Sequence, residues 1–326
     1  MRGRWDCPGH QGAGSRLDSE PRSDLPWTTA QAKLPATCGE LVQGTLDGVP
    51  FLVSCPIDVY ASVTVAIGPN MGSVEAGLVT QTGVDLDISK ARAAVVATMR
   101  AVGAEGRQAR LQIVSSVPRG KGLGSSTADV GGAILATAAA LGRALEPGQL
   151  GRLAVSIEPS DSSLFPGLAL FDHRGASLYE PLGAAPAMDI LVLDGGGVVD
   201  TIAYNQQDRT EQLKRLAPQH RDALAALRAG LAAGDLTLVG QAATISARAH
   251  QAILFKPALE AVIALARQVG GLGVNVAHSG TVMGLLLDPR RSDTPAIVAY
   301  LQPRLPGLTL LYCTRLVDGG ARICIG

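Results

Sequence analysis

The stretch that decides the fold is Pro118 to Thr127, which reads PRGKGLGSST and runs directly into the apolar segment ADVGGAILATAAAL. Its alternating glycines, Gly120, Gly122 and Gly124, predict a turn with positive φ in which the backbone approaches a ligand closely, because glycine has no Cβ. The apolar segment has helical spacing, so its first N–H groups and its positive dipole end point back at the turn. This arrangement predicts a phosphate site at the N-terminus of a helix.

A second interpretation of the same stretch stays open, since a glycine turn followed by Ser or Thr is also an ordinary way to cap a helix. Two common nucleotide-binding motifs do not account for it. The sequence contains no G-x-x-x-x-G-K-[ST], and residues 120–124 do not supply G-x-G-x-x-G. The stretch therefore belongs neither to a Walker loop nor to a Rossmann fingerprint.

The composition favours a globular protein that acts on small molecules. Of the 326 residues, 47% are hydrophobic and 17% are charged, which suits a large core divided over two domains. Lys+Arg 28 balance Asp+Glu 28, so no overall charge attracts nucleic acid or an anionic membrane. The longest apolar run, Val130 to Leu141, is much shorter than the roughly 20 residues of a membrane-spanning helix, which predicts a buried helix there.

The cysteines and the N-terminal segment bear on where the protein works. Five cysteines, an odd number without a C-x-x-C pair, argue against a disulfide framework and against a zinc site. We therefore expect a reducing cytoplasm. Residues 1–32 are predicted to be a disordered tail, and they contain no hydrophobic stretch typical of a secretory signal.

Strand and helix patterns alternate along the rest of the chain, and the glycine turn lies between a predicted strand and a predicted helix. The composition shifts to Gly, Ala and Pro at 183–186, where we place the boundary between a domain of residues 33–185 and a domain of residues 186–326. The predicted strands are 50–54, 60–67, 110–117, 167–172, 188–193, 282–287 and 308–313. One predicted helix, 88–102, precedes the apolar segment. The predicted helices that follow it are 149–157, 210–216, 219–233, 236–251 and 257–268.

Phosphoryl transfer from ATP needs a divalent metal with oxygen ligands in addition to a phosphate cradle. Magnesium is the expected metal, and it usually keeps some of its positions for water and phosphate oxygens. A serine at the helix start and one carboxylate would complete such a site, which makes Ser126 and Glu158 candidate ligands. Alternatively, Glu158 is only the solvated end of a helix.

The glycine stretch matches P-x-x-x-G-L-G-S-S-[AST] and resembles the phosphate loop of the GHMP small-molecule kinases. In that superfamily the metal-binding glutamate lies within A-x-x-x-E, which residues 154–158 reproduce. Residues 278–285, HSGTVMGL, resemble the C-terminal glycine-rich motif that these kinases pack against the phosphate loop. His278 within it is expected to be structural. The resemblance implies that ATP is bound by Pro118, Arg119, Gly120, Lys121, Gly122, Leu123, Gly124, Ser125, Ser126, Thr127, Ser279 and Gly280.

Many members of the superfamily place an aspartate a short loop beyond the glutamate as the catalytic base. Asp161, in the segment EPSDSS at 158–163, resembles that aspartate. The loop between the glutamate and Asp161 is shorter than in mevalonate kinase or galactokinase, which is a departure from the pattern. A Ser-Asp-Ser turn held by hydrogen bonds from side chains to the backbone is the alternative interpretation.

The acceptor is suggested by residues 35–44, PATCGELVQG, which resemble the opening P-A-T-S-A-N-L-G-P-G of homoserine kinases. Glu40 stands where that motif has asparagine. The resemblance implies that Glu40 and Ser160 bind the acceptor, with the Glu40 carboxylate paired to an ammonium group. The acceptor's own carboxylate would then need a cation such as Arg119 or Lys121. Glu40 is alternatively a surface acid at a strand end.

Four segments together, at 35–44, 53–60, 158–162 and 277–281, are similar to the bacterial L-threonine kinases within the superfamily. The resemblance implies an α+β, two-domain GHMP kinase fold, with an N-terminal half like ribosomal protein S5 domain 2 and a ferredoxin-like C-terminal half. It also implies that ATP and Mg²⁺ serve to make L-threonine O-3-phosphate for the aminopropanol arm of cobalamin. The expected partners are ATP and L-threonine, without nucleic acid or membrane, and a homodimer is left open.

Two alternatives to this function stay open. The first is a homoserine kinase or another amino-alcohol kinase, because the position of one methyl group separates the acceptors and contributes only about 1–3 kcal/mol to discrimination. The second is a non-catalytic ligand sensor on the same fold. The presence of both Glu158 and Asp161 disfavours the sensor.

Overall fold

A computed structural model of the protein describes residues 27–70, 74–76, 87–197 and 207–326, which form eleven strands and eight α-helices. The strands are β1 (Thr28–Leu46), β2 (Val49–Asn70), β3 (Val74–Ala76), β4 (Arg107–Ser115), β5 (Leu168–Phe171), β6 (Tyr179–Gly183), β7 (Asp189–Asp194), β8 (Gly273–Val276), β9 (Val282–Leu287), β10 (Thr309–Arg315) and β11 (Arg322–Ile325). The helices are α1 (Ser89–Ala101), α2 (Ser125–Ala140), α3 (Pro147–Ile157), α4 (Thr210–Arg215), α5 (Ala217–Ala233), α6 (Leu236–His250), α7 (Leu259–Gln268) and α8 (Thr294–Leu301).

One sheet contains all of these strands, in the order β10-β7-β9-β8-β1-β2-β4-β3. β11 pairs with β1, and β5 pairs with β2 and β6. The pairings are antiparallel except for β3 with β4, which are parallel. β1 connects the two halves, because Glu40 in it pairs with Ser54 of β2 and with Val276 of β8. The register of β1 shifts on both sides of Glu40, and such bulges bend a strand and redirect its side chains.

The core explains why the phosphate loop lies where it does. α2 packs closely against the sheet through small residues: a Cβ at Gly131 would lie 3.0 Å from Leu34, and one at Gly132 would lie 2.9 Å from Val63. Its interior side chains are almost entirely buried, in agreement with the predicted buried helix. Because the helix is fixed along its length, its N-terminus is fixed beside β1, where the amide of Thr37 donates to the carbonyl oxygen of Leu123 at 2.9 Å.

The structure corrects the predicted extent of the N-terminal tail. β1 begins at Thr28, inside the segment 1–32, because residues 30–33 hydrogen-bond to β2 on one side and to β11 on the other. Residues 1–26 lie outside the described residues. The domain boundary at 185 stays a prediction, and β11 pairs with β1 although it follows that boundary by more than a hundred residues.

Several elements were not predicted from the sequence. They are β1, β3, β6, β8, β11 and α8, and the strands among them other than β1 are only three to five residues long. A four-residue strand such as β8, with the sequence GVNV, carries too little alternation to be recognised. Within the described ranges, no helix combines the length and the apolar character that crossing a bilayer requires.

Candidate active site

The predicted glycine turn is present and adopts the predicted backbone conformation. Gly120, Gly122 and Gly124 have φ of 71°, 83° and 67°, in the left-handed region where a side chain is strained. Gly124 is the N-cap residue of α2, which begins at Ser125. The N-terminal amides and the positive end of α2 therefore point into the turn, as expected for an anion site.

The second glycine motif packs against this turn. The amides of Thr281 and Val282 both donate to the carbonyl oxygen of Lys121, at 2.9 and 3.1 Å. A Cβ on Gly122 would lie 2.9 Å from the Cα of Gly280, so two backbones approach with no room for side chains. The C-terminal half of the chain thus completes one wall of the phosphate loop.

The two predicted metal ligands lie together at the start of α2. The hydroxyl of Ser126 donates to Oε1 of Glu158, and Lys90 Nζ of α1 lies 2.6 Å from Oε2 of the same carboxylate. Two oxygen donors that converge beside a phosphate site match the preference of Mg²⁺, so these residues fit the ion. The described part of the chain has no group of three or more His, Cys, Asp or Glu placed to hold a metal.

Asp161 lies beside the same helix end. Its amide donates to Thr127 Oγ1 at 3.1 Å, and a Cβ on Gly124 would lie 2.7 Å from its Oδ2. Burial, and then the negative charge of Glu158, raise the pKa of Asp161 to about 6, and a hydrogen bond from Thr127 opposes this shift. The carboxylate is therefore mostly ionised at neutral pH and is able to accept a proton there.

Glu40 lies in β1, and only 3% of its surface is exposed to solvent. Its Oε2 has no hydrogen-bond partner. Burial, and then the charge of Asp161, raise its pKa well above the ordinary value, while a hydrogen bond from Ser54 opposes the shift. A buried position overturns the interpretation of Glu40 as a surface acid. A cation beside it would stabilise the ionised form.

Ser160 is also buried, but its polar groups are already bonded within the protein. Its hydroxyl donates to the carbonyl oxygen of Glu158 at 3.0 Å, and its amide donates to the carbonyl oxygen of His173 at 3.0 Å. These bonds hold the segment between Glu158 and Asp161 against the end of β5. The assignment of Ser160 to acceptor binding stays a prediction.

The two cations proposed for the acceptor carboxylate bind protein carboxylates instead. The guanidinium of Arg119 pairs with Asp129 of α2. Lys121 Nζ lies 2.8 Å from Asp194 at the end of β7 and donates to the carbonyl oxygen of Gly197 at 2.7 Å. Both pairs anchor the glycine turn to neighbouring elements, so neither cation is positioned for an amino-acid carboxylate in this structure.

A single cavity brings most of the predicted residues together. Pro118, Arg119, Lys121 and Gly280 lie outside its lining. The lining contains Glu40, Leu52, Gly120, Gly122, Leu123, Gly124, Ser125, Ser126, Thr127, Glu158, Pro159, Ser160, Asp161, His173, His278 and Ser279.

Several polar residues around the cavity were not assigned from the sequence. Lys90 and Asp194 come from α1 and β7, far from the glycine turn in the chain. His173 follows β5 and is 4% exposed, and neither of its ring nitrogens has a hydrogen-bond partner. A lone histidine after a short strand carries no pattern that would have singled it out.

Comparison with known proteins agrees with this geometry. The family of GHMP kinases N terminal domains matches residues 89–166, which include the glycine turn, Glu158 and Asp161, and the family of GHMP kinases C terminal domains matches residues 223–300. The chain is 34% identical over 301 residues to the L-threonine kinase of Salmonella typhimurium, covering 90% of this chain and 95% of that protein. It is also 34% identical over 299 residues to the L-threonine kinase of Citrobacter freundii, covering 90% and 99%.

The chain belongs to the GHMP kinase family. Its predicted activity as an ATP-dependent kinase and its two-domain fold of helices and antiparallel strands are thereby confirmed. A homoserine kinase of Moorella thermoacetica is a more distant relative, 28% identical over 207 residues, covering 60% of this chain and 64% of that protein. Among solved structures, the homoserine kinase of Cytophaga hutchinsonii shares the fold with a TM-score of 0.66 and 18% identity, covering 95% of this kinase and all of that chain.

Proposed function

We propose that this GHMP kinase transfers the γ-phosphoryl group of ATP to the side-chain hydroxyl of L-threonine and produces L-threonine O-3-phosphate. The observation that carries the proposal is a pair of carboxylates beside the phosphate loop, Glu40 buried and Asp161 half-buried. Glu40 has an unpartnered oxygen suited to an ammonium group, and Asp161 is placed to take a proton from a hydroxyl. An acceptor with both groups fits these two acids, and the L-threonine kinases among the relatives favour threonine.

The chain's own residues account for most of the proposed reaction. The turn amides and the N-terminus of α2 bind and orient the phosphates, and Asp161 accepts the hydroxyl proton as the oxygen attacks phosphorus. The bond between the new oxygen and the γ-phosphorus forms, the bond to the β-phosphate oxygen breaks, and ADP leaves. Ser126 and Glu158 would hold Mg²⁺, which supplies charge neutralisation on the phosphates.

Lys90 and Thr127 support these roles through contacts to the two carboxylates. Lys90 neutralises part of the charge of Glu158 at 2.6 Å, and Thr127 fixes the backbone of Asp161 at 3.1 Å. Positioning of this kind supplies a large part of the rate in phosphoryl transfer, because little covalent chemistry is left to the protein.

We further place the product in the aminopropanol arm of cobalamin biosynthesis, in the cytoplasm, as the resemblance to L-threonine kinases implies. Rescue of a bacterial strain that lacks its own L-threonine kinase, during growth that requires new cobalamin synthesis, tests this placement. A homodimer remains part of the proposal, and light scattering of the full chain measures it directly.

Homoserine phosphorylation is the second candidate function, because a homoserine kinase is among the relatives of the chain. An assay of ADP release with L-threonine, L-serine, L-homoserine and ethanolamine, with and without Mg²⁺, separates the two. We expect the highest kcat/KM with L-threonine and no turnover without the metal. A higher kcat/KM with L-homoserine would overturn the threonine assignment.

A further inference from the structure

A second cavity, of about 520 Å³, lies beside the phosphate-loop cavity, and the two share His173 and His278 in their linings. Its volume is in the range of small-molecule sites. Gln43 and Gly44, at the end of the PATCGELVQG segment, also line it. Asp161 lines the phosphate-loop cavity, so the two histidines border both that cavity and this second one.

His173 is the residue of this lining whose buried polar atoms lack hydrogen-bond partners. It is 4% exposed, and neither Nδ1 nor Nε2 has a hydrogen-bond partner. Burial, and then the positive charge of Arg174, lower its pKa to about 3, so the ring is neutral at physiological pH. A neutral imidazole has one N–H donor and one acceptor nitrogen, and burying both without partners costs free energy. A ligand that offers one acceptor and one donor would satisfy the ring.

The charges around the histidines favour an anionic group. Arg174 and Arg209 line the same cavity. Burial chiefly, and then His173, Arg174, Arg209 and Lys256, lower the pKa of His278. The two acids of this lining have partners within it: Asp47 pairs with Arg221 at 3.5 Å, and Asp208 accepts from the amide of Thr210 at 2.9 Å.

Two of the other three histidine rings of this lining, His278 and His250, are already held by the protein. His278 Nδ1 lies 2.7 Å from Oε1 of Gln43, and His250 Nε2 lies 2.9 Å from the carbonyl oxygen of His278. The ring centroids of His173 and His278 are 5.0 Å apart with the ring planes at 70°, so the two rings pack in a T-shaped arrangement. His278 is thus a packing neighbour of His173.

We propose that His173, assisted by the positive charge of Arg174, binds the α-carboxylate of a hydroxy amino acid acceptor and thereby selects amino acids over simple amino alcohols. One ring N–H donates to a carboxylate oxygen, and the other nitrogen accepts from the acceptor's ammonium. Glu40, which also lines the phosphate-loop cavity, takes another N–H of that ammonium, which leaves the hydroxyl to Asp161. This inference rests on the proposed function, because it assumes a hydroxy amino acid as acceptor.

The test compares each acceptor with its decarboxylated counterpart, using the full chain. kcat/KM is measured for L-threonine and (2R)-1-aminopropan-2-ol, for L-homoserine and 3-aminopropan-1-ol, and for L-serine and ethanolamine. The variants are His173→Phe, which keeps an aromatic ring without nitrogen, and His173→Asn and His173→Gln, which keep an amide N–H. His220→Asn is the matched control, because His220 lines the same cavity but already accepts from the amide of Thr45 at 3.2 Å.

We expect His173→Phe to lower the preference for the amino acid over its decarboxylated counterpart by roughly 10- to 100-fold, the size of a lost hydrogen bond to a charged group. The KM for ATP should stay unchanged, and His173→Asn or His173→Gln should restore part of the preference. An unchanged preference in His173→Phe, or an equal loss in His220→Asn, would overturn the proposal.

Failure of the proposed function gives a different result. If the wild type prefers L-homoserine or L-serine, the threonine assignment fails, and the preference measured on that pair still decides the role of His173. If the wild type uses the decarboxylated amines as well as the amino acids, or uses no amino acid at all, the carboxylate site is overturned as well. Circular dichroism of each variant shows whether the fold is retained.

Discussion

The phosphate side and the acceptor side of the cavity are built in different ways. On the phosphate side, three pairs join charged and polar groups: Ser126 with Glu158, Lys90 with Glu158, and Lys121 with Asp194. One oxygen of Asp129 on that side has no partner. On the proposed acceptor side, one oxygen of Glu40 and both ring nitrogens of His173 are buried without a partner. The phosphate side is therefore held mainly by bonds within the protein, whereas the proposed acceptor side leaves more buried polar atoms for a ligand to satisfy.

This difference has an energetic cost. An unpartnered buried polar group costs about 1–3 kcal/mol, so the acceptor side lowers the stability of the free protein. Such cost is typical of sites whose groups must be desolvated and oriented in advance. Substitutions on the two sides should consequently differ in how strongly each one changes the activity and how strongly it changes the free energy of unfolding.

The largest effect is expected for Asp161→Asn. The amide cannot accept the hydroxyl proton, so kcat should fall by about 10²- to 10⁴-fold while ATP still binds. Steady-state kinetics together with nucleotide binding by calorimetry measure both quantities. Asp222→Asn, an exposed acid on α5, is the control and should keep wild-type kcat. Equal kcat for Asp161→Asn and the wild type would remove Asp161 from the mechanism.

A smaller effect is expected for Glu158→Gln on the phosphate side. Loss of a charged oxygen donor should raise the Mg²⁺ concentration needed for half-maximal activity by about 10- to 100-fold. A titration of activity against Mg²⁺ at saturating ATP measures this. Glu146→Gln, before α3, is the control and should leave the titration unchanged. If Glu158→Gln titrates like the wild type, Glu158 is not a ligand.

Gly122→Ala tests how rigidly the phosphate side is packed. The new Cβ would meet Gly280 and Ala277, and φ of 83° is strained for alanine, so we expect the free energy of unfolding to drop by about 2–4 kcal/mol. Gly142→Ala isolates the backbone cost, because φ there is 65° and an added Cβ would meet no neighbouring atom within 4 Å. The free energy of unfolding of this variant should drop by only about 1 kcal/mol. Chemical denaturation measures both variants, and equal losses would show that the close approach of Gly122 to Gly280 is unimportant.

The smallest effect concerns the influence of Asp161, beside the phosphate loop, on stability. Because the folded-state pKa of Asp161 is raised from 3.8 to about 6, the folded protein binds more protons than the unfolded chain in that window, and this carboxylate lowers stability progressively as pH rises from about 4 to 6. Asp161→Asn should therefore be more stable than the wild type at pH 7, by at most about 3 kcal/mol. The inactive variant would thus be the more stable one.

The measurement is the difference in unfolding free energy between this variant and the wild type at pH 4 and at pH 7. The difference is needed because buried His173, with its lowered pKa, makes stability fall as pH drops below the ordinary histidine pKa, which opposes the effect of Asp161. A gain at pH 7 that is no larger than the gain at pH 4 would contradict the prediction.

The sequence predicts the phosphate side well because its determinants are local. Gly120, Gly122 and Gly124 need only their own backbone conformation, and the helix that follows needs only its own spacing. Glu158 and Asp161 were found through a short motif in the next connection. Their proposed roles depend on contacts made within forty residues of the glycine turn.

The acceptor side was only partly predictable because it is assembled from distant segments. Glu40 was singled out by a motif, yet its burial depends on β2 and β8, and β8 was not predicted at all. His173 reaches the cavity through the placement of β5, and its partner His278 comes from the other half of the chain. Arg119 and Lys121 were assigned to a ligand because the sequence does not show that Asp129 and Asp194 lie beside them.

The pairing of β11 with β1 also bears on synthesis of the chain. Lys33 pairs with Arg322, and at ordinary translation rates the two are made roughly 15 to 60 s apart. During that interval one edge of β1 lacks its neighbour, although the phosphate loop and its helix have already been translated. During its synthesis the kinase thus has an unpaired strand edge, which is able to pair with other chains. Chaperones would protect the growing chain in that period.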